Sequence, residues 1–504
     1  MTDTKSAAMF ARIVFSLFAC LTVLPTLAIA EEFLVVSDIH FKPFADLNQK
    51  QFRVLQDLPA EHWPEFLLKR NDTPSRPGSD SNFALMSSAL DAAKKRVPDP
   101  AFILYPGDFI AHHWQEDYDQ LADESIAENP KAYREFTMTA IEVIAIEFKK
   151  RFPKTPVIAT LGNDDSFCGD YWIQPNGDFL TRFAQTWHPM LDDALSQEAF
   201  EMTFNKLGVY QVDIPKLSAD RVIVLNTVLW SGSYCTNYFS PKKSNCCECT
   251  NGGTNPGHQQ LDWLEAELKR ARKQNRRVWL LMHVPPGLDS YAEEKANGHS
   301  LAAEMWKQEF MTRYLQLIEE YEDILHASFT GHTHMDDYRI DQINDHPVLL
   351  HKIAPAVSPI FGNNPAFQVF QVNQQSSVIE NWETCYLPLS SVKSQPKWQR
   401  EYDGQATYQV NALTATEMTK LFRDMRENPS SLQASAFRKL YSVSANSIAS
   451  KDLPIYLCTV LNATYAQFAR CLTEHQLAKP TQAKEPVEVR LRAESHSQKA
   501  AQQN

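Results

Sequence analysis

Five short stretches carry side chains able to do metal chemistry: Asp38-Ile39-His40, Gly107-Asp108, Gly162-Asn163-Asp164-Asp165, His283, and Gly331-His332-Thr333-His334. Carboxylate, imidazole and amide oxygen form an N/O donor set that suits Zn, Fe or Mn and contains no thiolate. Each stretch alone has an ordinary explanation. Asp-x-His arises by chance, Gly-Asp is common in turns, and a histidine after a strand is usually a packed or surface residue. Five of them in order, each directly after an apolar β-branched run, point instead to one metal centre.

The runs that must position them are expected as strands over 33–37, 102–105, 157–161, 222–225, 278–282 and 324–330, with helical periodicity over 132–150, 258–274 and 302–321 between them. This alternation predicts a layered α/β fold. The carboxyl ends of strands in an open α/β sheet converge on one crevice, so donors spread over almost 300 positions can meet. The segment 348–383 returns to strand-like alternation. Beyond about 405, helical periodicity dominates, for example over 415–426 and 431–441. The domain reading is a signal peptide over 1–30, the α/β domain over 31–400, a small helical domain over 401–477, and a polar tail over 478–504 with the composition of a disordered segment.

A chain of 504 residues that is 43% hydrophobic and 11% aromatic can bury a large core, which excludes disordered, collagen-like and multi-span membrane classes. Its net charge of −12 argues against holding nucleic acid along a broad basic face. A small anionic substrate stays possible, because a bound cation reverses the local field. Lys5 and Arg12 precede an apolar run from Ile13 to Ala30 that closes on Ala28-Ile29-Ala30, the small-x-small form of a signal-peptidase site. The expectation is a secreted or periplasmic protein with no membrane span after cleavage; an uncleaved anchor is the alternative. Oligomeric state cannot be read from the sequence.

Cleavage would remove Cys20 and leave Cys168, Cys235, Cys246, Cys247, Cys249, Cys385, Cys458 and Cys471, an even number expected to pair as disulfides in an oxidising compartment. Cys458 and Cys471, thirteen apart in a helical region, are natural partners. A thiolate metal site at 246–249 is the less favoured reading of that cluster.

The order Asp-x-His, Gly-Asp, Gly-Asn, His, Gly-His-x-His resembles the calcineurin-like metallophosphoesterases. Within them, Gly107-Asp108-Phe109-Ile110-Ala111-His112-His113-Trp114, Asn226-Thr227, Gln260-Leu261-Asp262-Trp263-Leu264, His283-Val284-Pro285-Pro286-Gly287, Gly331 to Asp336, and Ala354-Pro355-Ala356-Val357-Ser358-Pro359 resemble the acid sphingomyelinase-like phosphodiesterases without a saposin module. The resemblance spans about 33–383. It implies a four-layer α/β/β/α sandwich with a small C-terminal helical domain. It also implies two divalent metal ions, zinc by expectation with iron or manganese possible. One would be held by Asp38, His40, Asp108 and His334, the second by Asp108, Asn163, His283 and His332. His112 matches a family histidine that faces the phosphate.

One position departs from the family pattern. Where the family reads Gly-Asn-His, with the histidine as proton donor to the leaving group, this chain has Asp164. Either Asp164, His112 or His113 supplies the proton, or the preferred leaving group needs none. A departing phosphate, whose relevant pKa lies near ~6, leaves unprotonated far more readily than an alkoxide. The expectation is therefore hydrolysis of phosphodiester or phosphoanhydride bonds in a small phosphate ester such as a nucleotide, by attack of metal-bound hydroxide, with His112 and Asp164 as candidate catalytic groups. The alternatives are a sphingomyelin phosphodiesterase of phospholipase C type, and a metal-binding pseudoenzyme or receptor-like module.

Overall fold

The computed structural model describes residues 30–122, 129–217, 219–236, 253–299, 304–391 and 396–474. The expected signal segment apart from Ala30, the cysteine cluster at 246–249 and the polar tail lie outside the described residues.

Twelve strands among the described residues form two six-stranded sheets. In chain order they are β1 (Ala30–Val35), β2 (Ile103–Tyr105), β3 (Val157–Ala159), β4 (Tyr210–Asp213), β5 (Asp220–Val224), β6 (Arg277–Leu281), β7 (Leu325–Thr330), β8 (Asp337–Ile343), β9 (His346–Ile353), β10 (Ala366–Asn373), β11 (Ile379–Tyr386) and β12 (Gln399–Asp403). The first sheet runs β12-β11-β10-β1-β2-β3 and the second β4-β5-β6-β7-β9-β8. All six expected strands exist, split between the two sheets. β1, β2 and β3 are parallel neighbours, as are β5, β6 and β7.

The sheets pack face to face through aromatic rings. Phe33 stacks between Phe102 and Phe370 of its own sheet, at 4.6 and 5.0 Å, and meets Trp279 and Phe329 of the other sheet edge-on at 5.4 and 5.6 Å. All five rings are buried, and such pairs add to area burial because ring edges and faces carry opposite partial charge. Helices at Phe83–Arg96 and Pro130–Arg151 pack together on the first sheet's side, and helices at Asn255–Lys273 and Gln308–Glu320 cover the second sheet. This is the α/β/β/α sandwich that the resemblance implies. Both faces of each central strand are covered, so β2 and the Val222–Val224 part of β5 read as continuous apolar runs without alternation.

The helix expected over 302–321 begins later, at Gln308. Glu304 and Trp306 instead form isolated bridges with Leu288 and Ser231, and the indole of buried Trp306 donates to the Val284 carbonyl at 3.1 Å. Tertiary pairing overrides the helical spacing there. At the other end, β12 pairs antiparallel with β11 across the position where the sequence reading starts the helical domain. Helices at Ala415–Glu427, Leu432–Leu440, Leu453–Val460 and Tyr465–Glu474 follow. They dock on the second sheet through Phe422, whose ring lies 4.4 Å from that of Tyr338.

Cys458 and Cys471 form a disulfide with Cα atoms 5.8 Å apart, and Cys168 and Cys235 are each engaged in a disulfide as well. The expectation that all eight cysteines pair fails at Cys385, which is a free buried thiol. It sits within β11, where Glu383 is its nearest polar partner, and burial pushes the thiol up to about 12.

Candidate metal centre

The loops after β1, β2 and β3 of one sheet meet the loops after β6 and β7 of the other. Local backbone geometry allows this at a cost. Asp38, His40, Asp108, His332 and His334 all have positive φ, between 44° and 75°, a region that non-glycine residues occupy only when surrounding contacts enforce it. The glycines of two motifs are required by space. A Cβ on Gly162 would overlap the Asp108 carboxylate, and one on Gly331 would overlap the carboxylate of Asp38.

The seven expected ligands come together. Asp108 Oδ2 lies 3.3 Å from His40 Nε2 and 3.0 Å from His283 Nε2. Asn163 Oδ1 lies 2.9 Å from His283 Nε2 and 2.8 Å from His332 Nδ1. His334 Nε2 is 3.0 Å from His40 Nε2 and 3.6 Å from Asp38 Oδ1. Two donor groups emerge, one of Asp38, His40 and Asp108 and one of Asp108, His283 and His332, with Asp108 common to both. His112 joins His40 and His334 in a third overlapping group.

The donor set fits cations. The Nδ1 of His40 faces the Ile110 carbonyl at 3.1 Å and that of His283 faces the Pro106 carbonyl at 2.8 Å. A carbonyl only accepts, so both Nδ1 atoms carry hydrogen, and in the neutral form that a metal ligand requires each ring would turn an Nε2 lone pair into the cluster. There they would meet carboxylate and amide oxygens, which are acceptors too, so either a proton on each Nε2 or a cation reconciles them. Backbone carbonyls behind ligating histidines hold metal-site imidazoles in this orientation. His334 Nδ1 is buried without a hydrogen-bond partner.

Charges within the cluster are strongly biased. Burial alone would raise Asp108, but His283 and His40 overcome it and hold the carboxyl well below its ordinary range. Burial would lower His40 and His283; the Asp108 carboxylate instead pushes both up to about 9. Burial, reinforced by His283, pulls His332 down to about 3, and burial together with His40 holds His334 well below the usual imidazole value.

His112 stands at the open side, its ring stacked 4.0 Å from that of His40. Asp80 accepts from its Nδ1 at 3.0 Å and from its backbone N–H at 3.1 Å, which leaves Nε2 facing the site, 3.8 Å from Asp164 Oδ2. Asp164 is 6% exposed, and burial, then the Asp170 and Asp108 carboxylates, push it well above the ordinary carboxyl range. His113 is exposed and begins the helix at Trp114–Leu121, away from these contacts.

Several organising residues lie beyond the assigned ligands and catalytic candidates. Asp165 accepts backbone N–H groups of Asp108, Phe109, Ile110 and Gly162 at 2.7–3.3 Å, tying the loops after β2 and β3 together. Asp80 lies in a segment without a motif. Tyr171, with its hydroxyl 3.2 Å from His332 Nε2, and Phe361, 4.6 Å from the His334 ring, flank the site. Asn226 and Gln260, part of the resemblance, prove to be ties within the fold: Gln260 bonds the Asn226 backbone in both directions, at 2.8 and 3.1 Å.

Comparison with known sequences places this arrangement. The family model described as calcineurin-like phosphoesterase matches residues 32–336. Acid sphingomyelinase-like phosphodiesterase 3b of Mus musculus is 26% identical over 87% of this chain and 89% of its own length. Cyclic GMP-AMP phosphodiesterase of Mus musculus is 25% identical, with 88% and 92% covered. Sphingomyelinase phosphodiesterase D of Dictyostelium discoideum is 25% identical, with 76% and 82% covered.

Proposed function

The chain belongs to the calcineurin-like phosphoesterase family, hydrolases of phosphoric esters that use two metal ions, and on that premise we propose that it is an exported phosphodiesterase acting on nucleotides or related phosphoanhydrides. The observation that carries the hydrolytic reading is the shared Asp108. One carboxylate serves two groups of donors whose lone pairs converge. Asp38, His40, Asp108 and His334 would hold one divalent cation, and Asp108, Asn163, His283 and His332 the other. Such a pair would supply Lewis acidity to the phosphoryl oxygens and lower the pKa of bound water.

The protein's own groups do the rest. His112 presents Nε2 to the open side, and Asp80 fixes its tautomer and direction, so it can carry a proton to the departing oxygen. Asp164, with its raised pKa, is the second group able to hold that proton. Neither is needed for a phosphate leaving group. Phe361 favours a nucleotide: its ring is 56% exposed and stands edge-to-face with His112 and His334, at 5.3 and 4.6 Å, where a base could stack beside a bound phosphate. Export is supported by the disulfides, which persist in oxidising compartments.

The similarity to a protein named as a sphingomyelinase phosphodiesterase favours a second reading, cleavage of a phospholipid headgroup. One panel decides between them: purified protein with Zn or Mn, assayed on nucleoside triphosphates, cyclic and linear dinucleotides, bis-p-nitrophenyl phosphate and sphingomyelin. The nucleotide reading expects turnover of nucleotides above sphingomyelin by at least tenfold in kcat/KM. The reverse order overturns it. Asp108→Ala and His283→Ala should each abolish turnover, and persistence of activity would refute the assigned site.

A further inference from the structure

The Asn163 side chain is gripped from both ends. Its Nδ2 donates to Asp170 Oδ1 at 2.8 Å and to Asp164 Oδ2 at 3.3 Å, while its Oδ1 faces His283 and His332. A carboxamide has one donating end and one accepting end, and the close Asp170 carboxylate is satisfied by the NH2 group, with the carboxyl of Asp164 offering a second accepting oxygen beside it. Which way the amide points is thereby settled by its partners rather than by its shape. The segment that carries Asp170 is itself closed: Tyr171 N–H returns to the Asn163 carbonyl at 2.9 Å, Trp172 N–H to the Gly169 carbonyl at 3.1 Å, and Ser166 Oγ to the same Gly169 carbonyl at 2.9 Å.

We propose that Asp164 and Asp170 are positioning residues that clamp the Asn163 amide, holding Oδ1 as a permanent oxygen ligand for one of the two cations. This rests on the reading that Asn163, His283 and Asp108 hold a cation. The clamp gives the departure at Asp164 a physical role, because the side chain standing where a histidine is usual takes up one of the two amide hydrogens. Drawing both hydrogens toward carboxyl groups also polarises the amide and makes its oxygen a better donor. Partners behind a metal ligand contribute about 10- to 100-fold to metal affinity.

The test is calorimetric titration of chelator-stripped, full-length exported protein with Zn2+, comparing single and double variants. Wild type is expected to bind two ions. Asp170→Ala should weaken one site by about 10- to 100-fold and leave the other unchanged. Asp170→Asn, which keeps an accepting oxygen, should recover most of the loss. In an Asn163→Ala background, Asp170→Ala should have no further effect. A general electrostatic or structural role would persist in that background, and such persistence overturns the clamp, as does equal weakening of both sites. Should Asp170→Ala fail to fold, Asp164→Ala removes the other half of the clamp and is expected to weaken the same site; unchanged affinity there overturns the proposal. If Asn163→Ala itself leaves both affinities intact, the ligand assignment fails rather than the clamp.

Discussion

The Nε2 atoms of His40 and His334 lie 3.0 Å apart although the two residues follow strands of different sheets, and the Nδ1 hydrogen of His40 is committed to the Ile110 carbonyl on the far side. Without a cation, a proton on His40 Nε2 bridges the two nitrogens, because against burial the Asp108 carboxylate pushes the His40 ring up to about 9. A cation that displaced this proton would find two Nε2 lone pairs to hold it, which makes the pair a direct test of metal binding.

Chelation should therefore abolish hydrolysis, and Zn or Mn should restore it. Added metal should raise the melting temperature with the logarithmic dependence on free ion expected of a ligand that binds only the folded chain, about 2.7 kcal/mol at 100 times Kd. His334→Ala should reduce the bound metal by one ion per chain, measured by elemental analysis after dialysis. Retention of both ions would remove His334 from the ligand set.

Proton delivery separates substrates by leaving group. His112→Ala is expected to slow cleavage of diesters with alkoxide leaving groups by about 10²- to 10⁴-fold. Esters of p-nitrophenol, which depart without protonation, should slow far less. Asp80→Asn should follow the same leaving-group dependence in weaker form, since the His112 tautomer depends on that carboxylate. A uniform loss across leaving groups would instead assign His112 to binding the phosphate.

Phe361 should act on binding rather than chemistry. Its loop is anchored by Asn363 Nδ2 to the Ser358 carbonyl at 3.0 Å, Asn364 Nδ2 to the Val443 carbonyl at 2.8 Å, and Gly78 N–H to the Pro359 carbonyl at 3.0 Å. A ring on an anchored loop stacks with little ordering cost. Stacking of a base on an aromatic side chain contributes ~1–3 kcal/mol. Phe361→Ala should accordingly raise KM for nucleotides by about tenfold and leave methyl p-nitrophenyl phosphate unaffected, with Phe361→Trp close to wild type. Equal loss on both substrates would count against a base-stacking role.

One pH effect on stability lies outside the site. Glu401 in β12 accepts from Ser444 at 2.6 Å, but its second oxygen is buried without a partner, and burial pushes the carboxyl up to about 8. The folded state then binds a proton more tightly than the unfolded state, whose glutamate titrates near ~4.3. Stability should fall as pH rises from about 4.5 to 8, because the unfolded chain binds fewer protons across that window. Glu401→Gln should flatten this fall and raise the melting temperature by a few degrees at pH 9 with little change at pH 5. An identical pH profile for the two proteins would exclude a buried neutral glutamate.

How much of this was legible in the sequence follows from the range of the forces involved. The donors announce themselves because each sits next to a strand whose apolar run is a local feature, with a glycine marking the end of three of them: Asp38, Asp108 and Asn163 after β1, β2 and β3, His283 and His332 after β6 and β7. The six strands, the Cys458–Cys471 pair and the helical C-terminal region are local in the same sense. What the sequence could not specify is set by contacts between distant segments. That the strands divide between two sheets depends on rings such as Phe33 and Trp279 meeting across the interface, and the late start of the helix at Gln308 depends on Trp306 reaching the Val284 carbonyl. Asp80 becomes the partner of His112 across 32 residues, and Phe361 reaches the site from a loop whose sequence resembles any other turn. Cys385 in β11 stays free, with no cysteine beside it among the described residues. The sequence alone determined which donors exist and in what order the strands carry them, since residue type and hydrophobic period are properties of short segments. The tertiary structure decided which oxygen faces which nitrogen, because hydrogen-bond direction at Asn163 and His40 is imposed by partners that only the folded chain brings within reach.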